Sequence, residues 1–135
     1  MAGSFFDTNV LIYLASSDAA KADRAQSLVA EGGSISVQVL NELANVTRRK
    51  MKMSWRDTND FLDLLRGLVT VHPLSIETHD VGLALAERYG FSIYDAMIIA
   101  AALNTGCETL WSEDMQHGMA LEEGLRIVNP FQVVV

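Results

Sequence analysis

The sequence predicts an α/β fold: a single-domain α/β/α sandwich with a central, mostly parallel sheet. Short apolar segments of β-character alternate with segments whose apolar residues recur at helical spacing, which is typical of βα units. The chain has 135 residues, half of them hydrophobic, which is enough for one buried core. No linker rich in Pro, Gly or Ser divides it. We therefore expect residues 1–135 to form one domain.

The first half of the chain contains two predicted strands and four predicted helical segments. A buried apolar run ending at Asp7 is typical of a strand, and the residues after it have helical spacing. Gly32 and Gly33 end the second helix, and Ser54 begins the fourth with a capping box. The predicted elements are a strand at 3–7, a helix from residue 8, a helix at 18–30, a strand at 34–37, a helix at 38–50 and a helix from residue 54.

The second half contains three predicted strands and two predicted helices. Pro73 ends the first of these strands. Ser75 caps a helix that Gly90 terminates, and Ser92 caps a very apolar helix that continues through Asn104. The predicted strands cover residues 70–74, 108–112 and 125–128.

Four acidic residues stand where such a fold places its functional sites. In parallel sheets, sites form beyond the carboxyl ends of the strands. Asp7 ends the first strand, and Glu42 follows the second strand by about one helical turn. Asp114 follows the strand that ends near Ser112, and Asp95 begins a helix. The sequence therefore predicts that all four carboxylates can point to one end of the sheet.

Each of these acids also has an ordinary structural explanation. Asp7 can be a helix N-cap, although Thr8 can cap equally well without placing a charge beside buried aromatic residues. Glu42 can be an exposed helix residue, and Asp95 can complete a capping box. Asp114 has the composition of an ordinary loop acid. Taken singly, the four residues leave these alternatives open.

Taken together, the four acids favour a metal site. Two carboxylates within about 4 Å repel by roughly 4 kcal/mol at an effective dielectric near 20. Converging acids therefore either bind protons with raised pKa values or hold a hard divalent cation, and oxygen ligands suit Mg²⁺ or Mn²⁺. Of these two outcomes, we favour the metal.

The basic residues are concentrated in one stretch of an otherwise acidic chain. The formal net charge is −7, which argues against a wholly basic nucleic-acid surface. Five of the ten basic residues nevertheless lie in RRKMKMSWR, at residues 48–56. These cations can complement a helix end, or they can contact phosphate or a partner. Trp55, in the same stretch, can stack on an unpaired base, although a core or dimer-interface position is the more common use of a Trp.

Other chemistries find little support. The three histidines lack the spacing of a zinc site, and Cys107 has no motif around it, so we expect an inert thiol in a reducing compartment. No apolar run approaches the roughly 20 residues of a membrane span. Asp7 interrupts the one candidate signal-peptide segment, which also lacks a basic start. We expect a soluble, cytoplasmic protein.

Four motifs in order resemble those of a known family. They are FFDTNVLIYL around Asp7, VLNELANV around Glu42, SIYDAMIIAAAL around Asp95 and LWSEDMQHG around Asp114. The ordered set resembles the PIN domains, and among them the VapC-like toxins of type II toxin–antitoxin pairs. The resemblance covers almost the whole chain and implies a PIN-like fold.

The resemblance also implies an activity and a site. It implies an endoribonuclease that depends on Mg²⁺ or Mn²⁺, held mainly by Asp7 and Asp95. Asp114, a further metal ligand, and Glu42 would complete the acidic cluster. Two residues are implied to support the site: Asn9 and Ser112.

Partners are implied in the same way. The resemblance implies a homodimer, an RNA substrate and a cognate antitoxin that blocks the site. Lys50, Lys52 and Arg56 are candidates for steering the RNA backbone. Two other function classes stay open: a PIN-like module that binds RNA or protein without cutting, and a phosphohydrolase acting on small nucleotides.

Overall fold

A five-stranded sheet forms the centre of the molecule. The structure is a computed structural model that describes residues 3–132. The strands follow the order β3-β2-β1-β4-β5, and every pair of neighbours is parallel. This confirms the predicted α/β class. The strands are β1 (Ser4–Phe6), β2 (Ser34–Ser36), β3 (Thr70–His72), β4 (Thr109–Trp111) and β5 (Arg126–Val128).

Helices connect the strands and begin at the predicted caps. The hydroxyls of Ser54, Ser75 and Ser92 each accept the backbone N–H of the residue three positions on, at 3.0 to 3.2 Å. These bonds satisfy donors that a helix N-terminus otherwise leaves unpaired. The helices are α1 (Thr8–Leu11), α2 (Ala19–Ala30), α3 (Val37–Arg49), α4 (Trp55–Arg66), α5 (Ile76–Tyr89) and α6 (Ile93–Asn104).

Two local predictions differ from the structure. The segment after Asp7 is α-helical for only one turn and continues as a 3-10 helix at Ile12–Ala15. The predicted strands are also one to two residues too long, because Ser36 leads directly into α3 and β3 ends before Pro73. The loop between β4 and β5 contains an unpredicted 3-10 turn at Glu122–Gly124, since its sequence has no periodic apolar pattern.

The strand order creates a crevice beside β1. The chain passes from β1 to β2 and β3 on one side, and then returns to β4 and β5 on the other side. With right-handed crossovers, α1 to α4 cover one face of the sheet and α5 and α6 cover the other. The connections that leave β1 and β4 therefore diverge, and such a switch point is where α/β proteins bind ligands.

The core holds the sheet and α6 together. Phe5 and Phe6 of β1 are completely buried, and eight consecutive residues of α6, Ala96–Leu103, are buried as well. Each large apolar side chain removed from water contributes roughly 1.5–3 kcal/mol. At 12 residues α6 is about 18 Å long. Within residues 3–132 no helix has the length and apolar character needed to cross a membrane.

Gly33 provides a test of this packing. A Cβ at Gly33 would lie 2.5 Å from Cε2 of Phe6 and 3.0 Å from the carbonyl oxygen of Ser4. We expect Gly33→Ala to lower the free energy of unfolding by about 1–3 kcal/mol, because the added methyl group would overlap the ring of Phe6, which is fully buried. Urea denaturation followed by circular dichroism measures this change.

Gly67 is the matched control for this substitution. A Cβ there would meet its nearest neighbour, the carbonyl oxygen of Leu64, at an ordinary 3.4 Å. Gly67→Ala should therefore leave stability nearly unchanged. Equal effects of the two substitutions would show that the tight contact of Gly33 with Phe6 is not the cause.

Candidate active site

An acidic cleft of about 350 Å³ opens at the carboxyl end of the sheet. All four acids singled out in the sequence line it, and each comes from a different part of the fold: the end of β1, helix α3, the start of α6 and the loop after β4. The lining residues are Asp7, Thr8, Asn9, Ile12, Glu42, Val46, Lys50, Asp95 and Asp114.

Asp7 is buried at the bottom of this group, with only 3 % of its surface exposed. Its Oδ1 accepts the backbone N–H of Thr8 at 2.7 Å, so Asp7 is the N-cap of α1. Its Oδ2 accepts the hydroxyl of Ser112 at 2.8 Å and the side-chain amide of Asn9 at 3.1 Å. The cap explanation is therefore correct for one oxygen, while the other oxygen joins β1 to the end of β4.

The environment of Asp7 disfavours its charged form. Burial is the main cause and raises the pKa of Asp7 to about 7, against the lowering effect of the bonds from Ser112 and Thr8. The negative charges of Asp95 and Glu42 add to the rise. The fold thus holds a carboxylate where burial and neighbouring charges both oppose ionisation, and such perturbed groups are frequent at functional sites.

Glu42 is oriented by two neighbours that sequence reasoning missed. Its Oε1 accepts the hydroxyl of Thr8 at 2.8 Å, and its Oε2 accepts the side-chain amide of Gln38 at 2.9 Å. Gln38 also donates to the backbone carbonyl of Tyr94, at the start of α6, at 2.8 Å. Thr8 was considered as a helix cap, but its hydroxyl bonds Glu42 instead. The spacing of Gln38 and Glu42, four residues apart on a helix, was the available sequence signal.

Asp95 and Asp114 complete the acidic lining. Asp95 lies in the first turn of α6, where its backbone N–H donates to Ser92 at 3.2 Å. Burial raises the pKa of Asp95, contact with Ser92 opposes this, and the charges of Glu42 and Asp114 add to the rise. Asp114 is exposed at the rim. The two carboxylates are thus close enough to each other to interact electrostatically.

The two predicted supporting residues both contact Asp7. Ser112 is completely buried, and besides donating to Asp7 its hydroxyl accepts the backbone N–H of Met115 at 3.3 Å. Asn9 donates to Asp7, while its own carbonyl oxygen accepts the backbone N–H of Glu113 at 2.9 Å. Both side chains therefore hold the loop after β4 against the start of α1.

A second network fastens the same loop from outside the cleft. Glu113 accepts the hydroxyl of Tyr13 and the ammonium of Lys21, both at 2.6 Å. The ammonium lies 4.7 Å from the ring centroid of Tyr13 and 5.2 Å from that of Phe131. Partial burial opposes ionisation of Glu113, but the bonds from Lys21 and Tyr13 hold its pKa below the usual value. Lys21 is 92 residues away from Glu113 in the chain, so the sequence carried no signal of this contact.

The carboxylate oxygens of the cleft suit a hard divalent cation, but these side chains are not gathered closely enough to coordinate one. Carboxylate oxygens are the ligands that Mg²⁺ and Mn²⁺ prefer. The negative charges that raise the pKa values of Asp7 and Asp95 would be offset by such an ion. Within residues 3–132, however, no three His, Cys, Asp or Glu side chains are grouped closely enough to hold a metal as they stand. The chemistry of the residues thus fits a cation, and the structure supplies no coordination geometry.

The predicted RNA-binding residues are not all placed at the cleft. Lys50 caps the C-terminus of α3 and lines the cleft. Lys52 and Arg56 are exposed and lie outside the cleft lining. Lys52 adopts a left-handed backbone conformation, with φ of 57°, in the connection between α3 and α4. The basic stretch therefore begins at the acidic cleft and extends away from it.

Several solved structures, among them a toxin–antitoxin complex and a toxin, share this fold. A toxin–antitoxin complex from Klebsiella pneumoniae aligns with a TM-score of 0.74 and 19 % identity, over 97 % of this chain and 100 % of the other. VapC20 of Mycobacterium tuberculosis, a sarcin-ricin loop cleaving toxin, gives 0.68 and 20 %, over 83 % and 90 %. FitAcB of Neisseria gonorrhoeae gives 0.67 and 17 %, over 96 % and 99 %. At such identities the likeness shows the fold alone.

The sequence itself also matches a family profile. No curated protein matches the chain. The profile of the PIN domain matches residues 4–118, which include the four acids of the cleft. The chain therefore belongs to the PIN domain family.

Proposed function

We propose that the protein is a metal-dependent endoribonuclease, the toxin of a toxin–antitoxin pair. The observation that carries this proposal is the convergence of Asp7, Glu42, Asp95 and Asp114 on one cleft from four separate elements. Membership of the PIN family supports it. So do the structural neighbours, one of which is described as a toxin that cleaves the sarcin-ricin loop.

The proposed cofactor is Mg²⁺ or Mn²⁺. The ion would be held by Asp7, Asp95 and Asp114. Neighbouring negative charges add to the effect of burial in raising the pKa values of Asp7 and Asp95, and the charge of Asp114 is one of those that act on Asp95. A bound cation would offset these charges. When bound, such an ion lowers the pKa of water and stabilises negative charge on a scissile phosphate. The ion would also offset the negative charges of Asp95 and Glu42, which add to the effect of burial in raising the pKa of Asp7.

In this proposal the side chains of the cleft orient the attacking water and the metal ligands, and none of them attacks the phosphate itself. Both oxygens of Glu42 accept a hydrogen bond, from Thr8 and from Gln38, which fixes the carboxylate plane. The remaining lone pairs of Glu42 are available to orient an attacking water. Ser112 and Asn9 fix the orientation of Asp7 in the same way. No nucleophilic side chain is required.

The proposed partners follow from charge and family. Lys50, Lys52 and Arg56 would contact the RNA backbone, since phosphate contacts position a nucleic acid without reading its sequence. A cognate antitoxin is proposed because the neighbour from Klebsiella pneumoniae is a toxin–antitoxin complex. We also propose a homodimer in the cytoplasm.

Asp95→Asn tests the proposed chemistry. With Mg²⁺ or Mn²⁺, the wild type should cleave labelled structured RNA, and the variant should lose at least about 100-fold in rate, the scale for removing an electrostatic group from an active site. The helix cap should survive, because it uses the backbone N–H of residue 95. Circular dichroism checks the fold of the variant.

The control for Asp95→Asn is Asp80→Asn, which removes an exposed carboxylate from α5. It should cleave like the wild type, and EDTA should abolish both activities. Cleavage that persists in Asp95→Asn or in EDTA would contradict the proposal. If the wild type binds a panel of RNAs but cuts none of them, the result favours the alternative function, a PIN-like module that binds RNA without cutting it. A chromogenic phosphodiester tests the small-nucleotide alternative.

Asp7→Asn is expected to stabilise the metal-free protein at high pH. The folded state keeps the proton of Asp7 up to a pKa of about 7, whereas the unfolded chain releases it near 3.8. The wild type therefore loses stability as the pH rises from about 4 to 7, and asparagine removes this loss. The difference in unfolding free energy between variant and wild type should grow by up to about 3 kcal/mol between pH 5 and pH 8.

Denaturation in EDTA at several pH values measures this difference. Asp80→Asn gives the effect of deleting an exposed carboxylate, and the trend for Asp7→Asn must exceed it. A difference that stays constant between pH 5 and pH 8 would show that burial does not penalise the charge of Asp7.

A further inference from the structure

We propose that Trp55 and Arg48 form a stacking platform for an unpaired base of single-stranded RNA, beside the cations that would hold its phosphates. The proposal deepens the proposed function and rests on it, because it gives the RNA a binding subsite outside the acidic cleft. It also specifies the substrate class at that subsite: an unstacked nucleotide rather than a base inside a duplex.

Trp55 lies at the surface rather than in the core. It is the first residue of α4, and 64 % of its surface is exposed. This excludes the core position considered from the sequence. A Trp this exposed is unusual, because burying an indole removes a large apolar area from water. Because Trp55 lies within the most basic stretch of the chain, this surface suits a ligand that combines negative charge with an aromatic face.

Arg48 occupies one side of the Trp55 ring. Its guanidinium carbon lies 4.3 Å from the ring centroid, which is cation–π distance. The same guanidinium donates from Nη1 to the backbone carbonyl of Met53 at 2.6 Å, and this bond fixes its position. The ring is thus supported from one side while most of the residue remains accessible. Bases stack on aromatic side chains in this way with little regard to sequence, since every base has a π face.

The connection between α3 and α4 holds the platform rigidly. The backbone N–H of Met53 donates to the carbonyl of Thr47 at 2.9 Å. The buried hydroxyls of Thr47 and Thr58 bond each other at 3.1 Å and join the two helices just below the connection. Ser54 caps α4 immediately before Trp55. A platform that is ordered before binding loses less conformational entropy when a base stacks on it.

Four exposed cations lie in the same basic stretch of the chain as Arg48 and Trp55: Arg49, Lys50, Lys52 and Arg56. None of them forms an ion pair with another residue in the range 3–132. They concentrate positive charge locally on a chain whose net charge is −7. Lys50 also lines the acidic cleft, so a strand held by these cations would run from the platform to the carboxylates.

Single-stranded RNA fits these features better than the alternatives. It offers phosphates for the cations and unstacked bases for the ring, whereas the bases of a duplex are stacked on each other. An acidic protein segment would satisfy the cations without needing the exposed indole. The two are separated by asking whether loss of the indole weakens RNA binding specifically.

Binding is measured in EDTA, so that no cleavage is needed. The probe is a single-stranded oligouridylate of eight nucleotides, and inorganic polyphosphate reports charge alone. Trp55→Ala should weaken oligouridylate binding by about 5- to 100-fold while leaving polyphosphate binding unchanged. Trp55→Phe should restore most of the affinity, because it keeps an aromatic face. Leu64→Ala, which removes an exposed side chain from the same helix, is the matched control and should bind like the wild type.

Fluorescence assigns the effect to the ring itself. Trp111→Phe leaves Trp55 as the remaining tryptophan, and oligouridylate should quench its emission. The proposal is overturned if Trp55→Ala binds oligouridylate normally, if it loses polyphosphate binding equally, or if no quenching occurs. Stacking that is found in a protein without nuclease activity would support the platform and refute the proposed catalysis, so the two failures are distinguishable.

Discussion

The carboxylate of Asp7 lies where β1 ends, and Ser112, 105 residues further along the chain and just after β4, lies beside it. Its Oδ2 accepts the hydroxyl of Ser112, and this bond ties the carboxyl end of β1 to the segment that follows β4. Glu113, in the same segment, is bonded to Asn9 of the first helix and to Tyr13 of the 3-10 helix that follows it. A charge buried at this depth is costly unless hydrogen bonds or a counter-ion compensate for it. The surrounding polar side chains therefore have to take fixed orientations around Asp7.

This constraint explains why the cleft is ordered on three sides. Thr8 and Gln38 fix Glu42, and Gln38 continues to the start of α6, the helix that carries Asp95. The loop that carries Asp114 is held by Glu113 against Tyr13 and Lys21. The four acids are thus positioned by hydrogen bonds and an ion pair that involve other side chains around the cleft. Sites that bind ions or substrates through charge depend on this kind of outer support.

Charge is separated along the surface as well as within the site. The acidic cleft and the basic stretch meet at Lys50 and lead away from each other. An RNA strand carries the charge that the basic stretch attracts and that the acidic cleft repels without a cation. The proposed metal would reduce the repulsion between the RNA and the acidic cleft, and the proposed platform with its cations would attract the RNA beside the cleft. The fold by itself does not establish that the protein binds or cleaves RNA, because proteins of one fold have different functions. The two proposals therefore rest on the residues of the cleft and of the basic stretch.

The sequence by itself determined the elements, their caps and the residues at the strand ends. Apolar periodicity, the serines at helix starts and Gly90 act within a few neighbouring residues, so they are readable from the chain, and they placed the strands and helices within one to two residues. The positions of the four acids relative to those elements were readable for the same reason. Tertiary structure alone decided which side chains face each other. The bonds of Thr8 to Glu42 and of Lys21 to Glu113 span 34 and 92 residues, and the exposure of Trp55 depends on how α4 packs. Such contacts arise only when the strands assemble in the order β3-β2-β1-β4-β5, because that order brings distant segments to one edge of the sheet.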